Sequence, residues 1–235
     1  MKTVAVVLAA GSGSRMQSDV KKQYMEIGGK PLIYYSLKAF EESVIDGIVL
    51  VVSRGDVEYV RKEIVEKFGF QKVTAIVEGG LARYHSVRLG LQAADPGCDY
   101  AFIHDGARPF VTGDIILRGL HAVKEYGACV IGMPVKDTIK IADDKGFASM
   151  TPDRDKTWLI QTPQIFSYKM ILDLYQRLDR EEGELIEKGI NITDDAMVVE
   201  YFSDKKVKLV EGSYTNIKIT TPEDIPAAEA ILKNM

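Results

Sequence analysis

The chain has 235 residues, 46% of them hydrophobic and 27% charged, an ordinary globular composition with enough apolar material for one large core. Its net charge of −4 argues against a general nucleic-acid binder, and no apolar run approaches the ~18 residues of a membrane span. Three histidines are too few for a histidine-rich metal site, and Cys98 and Cys129 lie among apolar residues, as reduced core thiols of a cytoplasmic protein would.

The chain enters Val4-Ala5-Val6-Val7-Leu8 at once, so no secretory leader is expected. That short apolar run reads as one buried parallel strand. The next stretch, Ala9-Ala10-Gly11-Ser12-Gly13-Ser14-Arg15-Met16, sheds most of its side-chain bulk. Something must approach its backbone, and exposed N–H groups there suit an anion. Arg15, and Lys22 within Lys21-Lys22-Gln23-Tyr24, add two cations. Together these features read as a triphosphate cradle; a glycine-rich surface turn with two solvated cations is the plainer alternative. Two common phosphate motifs are excluded. Met16 stands where a dinucleotide fingerprint needs its third glycine, and Gly29-Lys30 is followed by Pro31 rather than by Ser or Thr.

Residues 31–40 read as a helix with proline in its first turn, 47–52 as a second buried strand, and 56–68 as a helix with apolar residues at Val57, Val60, Ile64, Val65 and Phe68. A strand at 73–77 ends at Glu78-Gly79-Gly80, and helix 83–94, strand 100–104, helix 113–126 and strand 128–135 follow. Residues 137–141 and 147–150 flank the turn Asp144-Lys145-Gly146 and predict a β-hairpin too polar for a central strand pair. It is either an arm reaching a partner chain or an ordinary surface hairpin. Helices at 167–178 and 194–202, the latter with Thr193 as N-cap, precede strands at 207–210 and 217–219. Thr221-Pro222-Glu223-Asp224 opens the final helix, with Thr221 as N-cap. Alternating strands and helices, with no linker or repeat, predict one domain over 1–235. The expected fold is α/β: a Rossmann-like, mostly parallel twisted sheet with helices on both faces and a protruding β-hairpin arm at 136–153.

In such sheets ligands bind beyond the carboxyl ends of the strands. The polar and glycine-rich stretches fall there: the 9–24 loop, Gly79-Gly80 with Arg83, residues 105–108, Thr138, and residues 216–218. Asp105, directly after a strand, can hold Mg²⁺ against phosphate oxygens, or serve as a turn or cap aspartate. His104 beside it reads as a packed strand-end residue rather than a base.

The order Leu8-x-x-Gly11-x-Gly13-x-Arg15-Met16, then Lys21-Lys22-Gln23, resembles the signature of nucleotidyltransferases that activate sugar phosphates. His104-Asp105-Gly106-Ala107-Arg108-Pro109, Pro134-Val135-Lys136-Asp137-Thr138, Gln161-Thr162-Pro163-Gln164, Thr193-Asp194-Asp195-Ala196 and residues 211–218 follow in order. Over almost its whole length the chain resembles the family of 2-C-methyl-D-erythritol 4-phosphate cytidylyltransferases. The resemblance implies transfer of a cytidylyl group from CTP to methylerythritol 4-phosphate, with pyrophosphate released and Mg²⁺ or another divalent cation held by Asp105. It implies that Arg15 and Lys22 stabilise transition-state charge and that Arg154 and Lys218 position the methylerythritol phosphate. Arg108, Thr138, Thr162 and Asp105 would make its other contacts. Ala9, Ala10, Gly11, Gly13, Lys22, Gly79, Gly80, Arg83, Ser86 and Gly106 would contact CTP. A homodimer is implied too, with the arm carrying Thr138 and Arg154 into the partner's site. By themselves, Arg154 between Asp153 and Asp155 reads as a solvated arginine, and Lys218 as a site or a surface lysine. The chain departs from the pattern at Leu81, where many relatives carry an acidic residue after the glycine pair, so any side-chain contact from that position is lost. A ribitol 5-phosphate cytidylyltransferase would share the loop, Asp105, Arg108 and Lys218, and is the alternative.

Overall fold

The computed structural model describes residues 1–11, 16 and 20–234. In chain order it contains β1 (Thr3–Ala9), a 3₁₀ turn (Lys22–Tyr24), β2 (Glu26–Ile27), β3 (Lys30–Pro31), α1 (Leu32–Glu41) and β4 (Gly47–Val52). Then come α2 (Val57–Val60), continued by a π-helical stretch (Arg61–Glu66), β5 (Val73–Glu78), α3 (Arg83–Gln92), β6 (Tyr100–Asp105), α4 (Gly113–Tyr126) and β7 (Ala128–Pro134). The arm holds β8 (Ile141–Ala142) and β9 (Ala148–Met150); β10 (Trp158–Ser167), α5 (Tyr168–Glu187), α6 (Asp195–Phe202), β11 (Lys208–Glu211) and α7 (Asp224–Lys233) complete it.

Seven strands make one sheet in the order β11-β7-β10-β6-β1-β4-β5. β1 pairs parallel with β4 and β6, β4 with β5, and β7 with β11. β1 and β4 are apolar on both faces because helices cover both. Val4 and Val6 join Val87 and Leu91 of α3 and Ile171 and Tyr175 of α5 in one core. Ala5 and Val7, one residue out of step, join Leu37 and Phe40 of α1 and Ile116 and Leu120 of α4 in the other. The period of two along a strand sends alternate residues to opposite layers.

The structure corrects several expectations. β10 is a strand that the sequence pattern does not announce, running antiparallel to β6 and β7. Pro163 cannot donate to a ladder, and the register accordingly shifts between Ile160 and Gln164. Residues 217–219 form no strand; Ile219 donates one backbone bond to Ala107 instead. Asp194, not Thr193, caps α6, accepting from Met197 N at 2.9 Å. Glu223, not Thr221, stands at the N-cap position: α7 starts at Asp224, whose carboxylate turns back to accept from Thr220 N and Thr221 N. Pro31 stands just ahead of α1 rather than in its first turn. The arm's ladder is shorter than expected, pairing Ile141 with Met150 and Ala142 with Ala148, and both strands are exposed.

Candidate active site

β1 and β6 run side by side, with Leu8 opposite Asp105 at their carboxyl ends. From β1 the chain moves outward through β4 and β5, then crosses back to β6, so the two strand ends open onto a crevice. A cavity of about 540 Å³ fills it. One wall is Ala9, Ala10, Gly11 and Lys22; a second is Gly80, Leu81, Ala82, Arg83 and Ser86; a third is Asp105, Ala107, Lys218 and Thr220.

Small residues shape the first two walls. A Cβ on Gly79 would sit 2.4 Å from Ala10 Cβ and 2.7 Å from Ser86 Oγ, so the glycine lets the two loops meet. Gly80 N donates to Ser86 Oγ at 3.2 Å, and Ala82 N donates to His85 Nδ1 at 3.2 Å, which folds the loop onto the start of α3. Leu81 is fully exposed at the rim.

Asp105 is the charged centre of the third wall. Its Oδ1 accepts from Arg83 Nε at 3.1 Å and its Oδ2 from Lys218 Nζ at 2.6 Å. Burial disfavours the carboxylate, but the charges of Arg83 and Lys218 outweigh that and hold it well below the usual carboxylate range. Its backbone is fixed as well: Asp105 N donates to Thr162 Oγ1 at 3.1 Å. Thr162 in turn meets His104 Nδ1 at 3.0 Å, and His104 Nε2 meets the Arg108 carbonyl at 3.1 Å. A carbonyl only accepts, so Nε2 carries the proton and Nδ1 accepts from the threonine hydroxyl. Burial lowers the His104 pKa to about 4, so the ring is neutral near pH 7. It is a packed strand-end residue, as expected, and its ring also holds the Thr162 hydroxyl and the Arg108 carbonyl.

Arg83 continues the network inward, a link that the sequence does not disclose. It donates to both oxygens of Asp195 at 2.8 Å, and Asp195 Oδ1 also accepts from the buried Tyr175 hydroxyl. Gln164 of β10 holds the start of α6 by accepting from Ala196 N and donating to Asp194. The signal in the sequence is the acid pair Asp194-Asp195 ahead of the apolar run Ala196-Met197-Val198-Val199.

Of the site residues named from the sequence, Ala9, Ala10, Gly11, Lys22, Gly80, Arg83, Ser86, Asp105 and Lys218 line the cleft and Gly79 shapes it. Arg108 does not line it; it donates to Asn216 O at 2.8 Å, and its Nε is buried and unpartnered among the described residues. Thr162 and Gly106 are buried supports; a Cβ on Gly106 would meet Ile33 Cδ1 at 2.4 Å and the Leu8 carbonyl at 3.0 Å. Thr138 and Arg154 are exposed at the arm and do not line this chain's cleft. Gly13 and Arg15 lie outside the described residues. No cluster of three His, Cys, Asp or Glu side chains among the described residues could hold a metal unaided. Asp105 alone suits an ion that takes one carboxylate and draws its other ligands from phosphates and water. A smaller cavity of about 280 Å³ beside Leu178, Leu185 and Ile190 has Glu182 as its charged residue, which does not suit a phosphate.

Residues 3–234 match the IspD family, 2-C-methyl-D-erythritol 4-phosphate cytidylyltransferase. A relative of that name from Lachnospira eligens is 51% identical over 231 residues, 97% of this chain and 98% of its own length. One from Lachnoclostridium phytofermentans is 47% identical over 232 residues, 99% of this chain and 97% of its own. Among solved structures, 4-diphosphocytidyl-2C-methyl-D-erythritol synthase from Anaerococcus prevotii superposes with a TM-score of 0.85 at 37% identity, covering 99% of this chain and 96% of that one.

Proposed function

The chain belongs to the IspD family of 2-C-methyl-D-erythritol 4-phosphate cytidylyltransferases, and on that premise we propose how its cleft carries out the cytidylyl transfer of isoprenoid precursor synthesis. A phosphate oxygen of methylerythritol 4-phosphate attacks the α-phosphorus of CTP. The new P–O bond forms as the bond to the bridging oxygen breaks, and pyrophosphate leaves. The observation that carries this reading is Asp105 held between Arg83 of the second wall and Lys218 of its own, in one cleft with Gly11 and Lys22.

The reaction needs little covalent help from protein groups. A phosphate monoester is largely ionised near neutral pH, so no general base is required, in keeping with a neutral, buried His104. Positioning and charge stabilisation carry the catalysis. Lys22 and Arg15 meet the charge that grows on the triphosphate; Lys218 and Arg108 orient the attacking phosphate. Ala10, Gly79 and Gly80 let the nucleotide approach backbone, and Ser86 holds their loop. A divalent cation, held by Asp105, would neutralise phosphate charge and draw the phosphates together.

We read 1–235 as one catalytic unit that dimerises through the 136–153 arm, bringing the partner's Thr138 and Arg154 to each cleft. Ile141, Phe147 and Met150 on the arm are 43%, 71% and 55% exposed, apolar surface that a second copy would cover. The family's nucleotide substrate and the buried, free Cys98 and Cys129 support a cytoplasmic location. No helix among the described residues is long and apolar enough to cross a membrane.

The test is product analysis after incubation with CTP, Mg²⁺ and either methylerythritol 4-phosphate or ribitol 5-phosphate. Cytidylyl transfer to the former is expected; preferential transfer to ribitol 5-phosphate would overturn the assignment.

A further inference from the structure

Lys22 reaches the cleft from a short turn whose other residues are tied to the sheet. Lys21 Nζ donates to both oxygens of Asp56 at 2.7 Å, and the Tyr24 hydroxyl donates to Asp56 Oδ2 at 2.9 Å. Burial, reinforced by Asp56, pushes the Tyr24 hydroxyl far above its usual range, so it stays a neutral donor. Gln23, buried between them, donates to the Ala9 carbonyl at 2.7 Å. Backbone bonds from Tyr24 N to Lys21 O and from Met25 N to Lys22 O close the turn.

The anchors lie at or just beyond the ends of paired sheet strands. Ala9 ends β1 and pairs with Val52, the last residue of β4. Asp56 lies four residues beyond Val52, its N–H bonded to Ser53 O and its side chain 16% exposed. It stands at the N-cap position of α2, yet its side chain makes no capping bond. The side-chain bonds described for it come from the residues on either side of Lys22, so the carboxylate clamps the turn rather than starting the helix.

We infer that Asp56 is a positioning residue for cytidylyl transfer, gripping Lys21 and Tyr24 so that the intervening Lys22 presents its ammonium to the phosphate end of the cleft. The inference rests on the reading above that Lys22 stabilises transition-state charge. Lysine has a long, flexible stem, and a misplacement of ~1 Å at a reacting centre can cost about 100-fold in rate. Lys21, already engaged by Asp56, is the anchor and not a second catalytic cation.

The experiment compares steady-state kinetics of the full-length enzyme, Asp56→Asn, Lys22→Ala and the double variant, with CTP, Mg²⁺ and methylerythritol 4-phosphate. Asp56→Asn keeps the side chain's shape and is expected to lower kcat about tenfold or more, with the KM for CTP within about twofold. The double variant is expected to be no slower than Lys22→Ala alone, because the clamp acts only through the lysine. Asp56→Glu is expected to restore part of the rate. Wild-type kcat in Asp56→Asn, or a full multiplicative loss in the double variant, would overturn the clamp while leaving the function standing. Should Asp56→Asn fail to fold, Tyr24→Phe, which deletes one hydroxyl from the same carboxylate, takes its place in the same additivity test. An inactive parent enzyme, or wild-type kcat in Lys22→Ala, would instead bring down the reading of the cleft.

Discussion

Arg83 and Asp195 form a two-pronged pair, Nη1 to Oδ1 and Nη2 to Oδ2 at 2.8 Å each, and the Asp195 side chain is fully buried. The same guanidinium spends its Nε on Asp105, so one side chain joins the interior of the α5–α6 layer to the cleft. The joint holds the wall charge in place without relying on exposed ion pairs, which salt would screen.

That pair sets the first prediction. Asp195→Ala strands a largely buried guanidinium and leaves the Tyr175 hydroxyl without its acceptor. Loss of one partner of such a pair costs about 3–5 kcal/mol. Urea unfolding of the variant is expected to show a loss in that range, and a change below about 1 kcal/mol would contradict a stabilising role for the contact.

His104 governs a second prediction. Its pKa is lowered to about 4 by burial, whereas an unfolded histidine titrates near 6.5. Between those values the unfolded chain binds a proton that the native chain refuses, so stability falls as pH drops through the window. The loss reaches about 3 kcal/mol at the acid end of the window. NMR titration is expected to find the His104 ring neutral at about pH 5.5; a midpoint near 6.5 would show that the ring is not confined as described.

Asp105 behaves in the opposite sense. Its folded value lies below the unfolded one, so its stabilising contribution is complete above about pH 4 and is lost as pH falls further, through the depressed native value. Lys218→Met removes the cation on Oδ2 and is expected to move the onset of acid loss to higher pH. The same variant is expected to lose about 100-fold in kcat/KM for methylerythritol 4-phosphate, the scale of one charged contact at a transferring phosphoryl group. An unchanged acid limb in Lys218→Met would mean that Arg83 alone sets the Asp105 charge.

Gly79→Ala tests the junction of the two loops. Its new methyl would lie 2.4 Å from Ala10 Cβ, a contact that one loop must yield to. Overpacking of this kind costs about 1–3 kcal/mol. The expected result is CTP affinity weakened about tenfold by calorimetry, with the fold retained. Unaltered CTP affinity would remove Gly79 from the nucleotide wall.

Much of the sheet was readable because buried parallel strands are apolar on both faces and short, as in 47–52, which matches β4. β10 escaped because Pro163 and the polar Gln161, Thr162 and Gln164 hide a central strand; their side chains bond to Asn216, Ser213, His104 and Asp194 across the fold. The starts of two helices differ from the sequence reading because Asp194 takes the capping role from Thr193, and because Asp224 turns its carboxylate back onto Thr220 N and Thr221 N and opens α7 itself. The cleft residues in glycine-rich turns were legible from spacing, whereas Asp195 and Asp56 were not, since each acts on residues distant in sequence.

By itself the sequence determined the alternation of strands and helices, the loops at the strand ends and the set of small and cationic residues in them, because those depend on local periodicity and side-chain size. Tertiary structure alone decided which charges meet. Arg83 lies 112 residues from Asp195, and Asp105 lies 113 from Lys218. Such pairings arise only when the strand order brings their elements to one edge, and burial there makes each unpaired charge costly enough to select its partner.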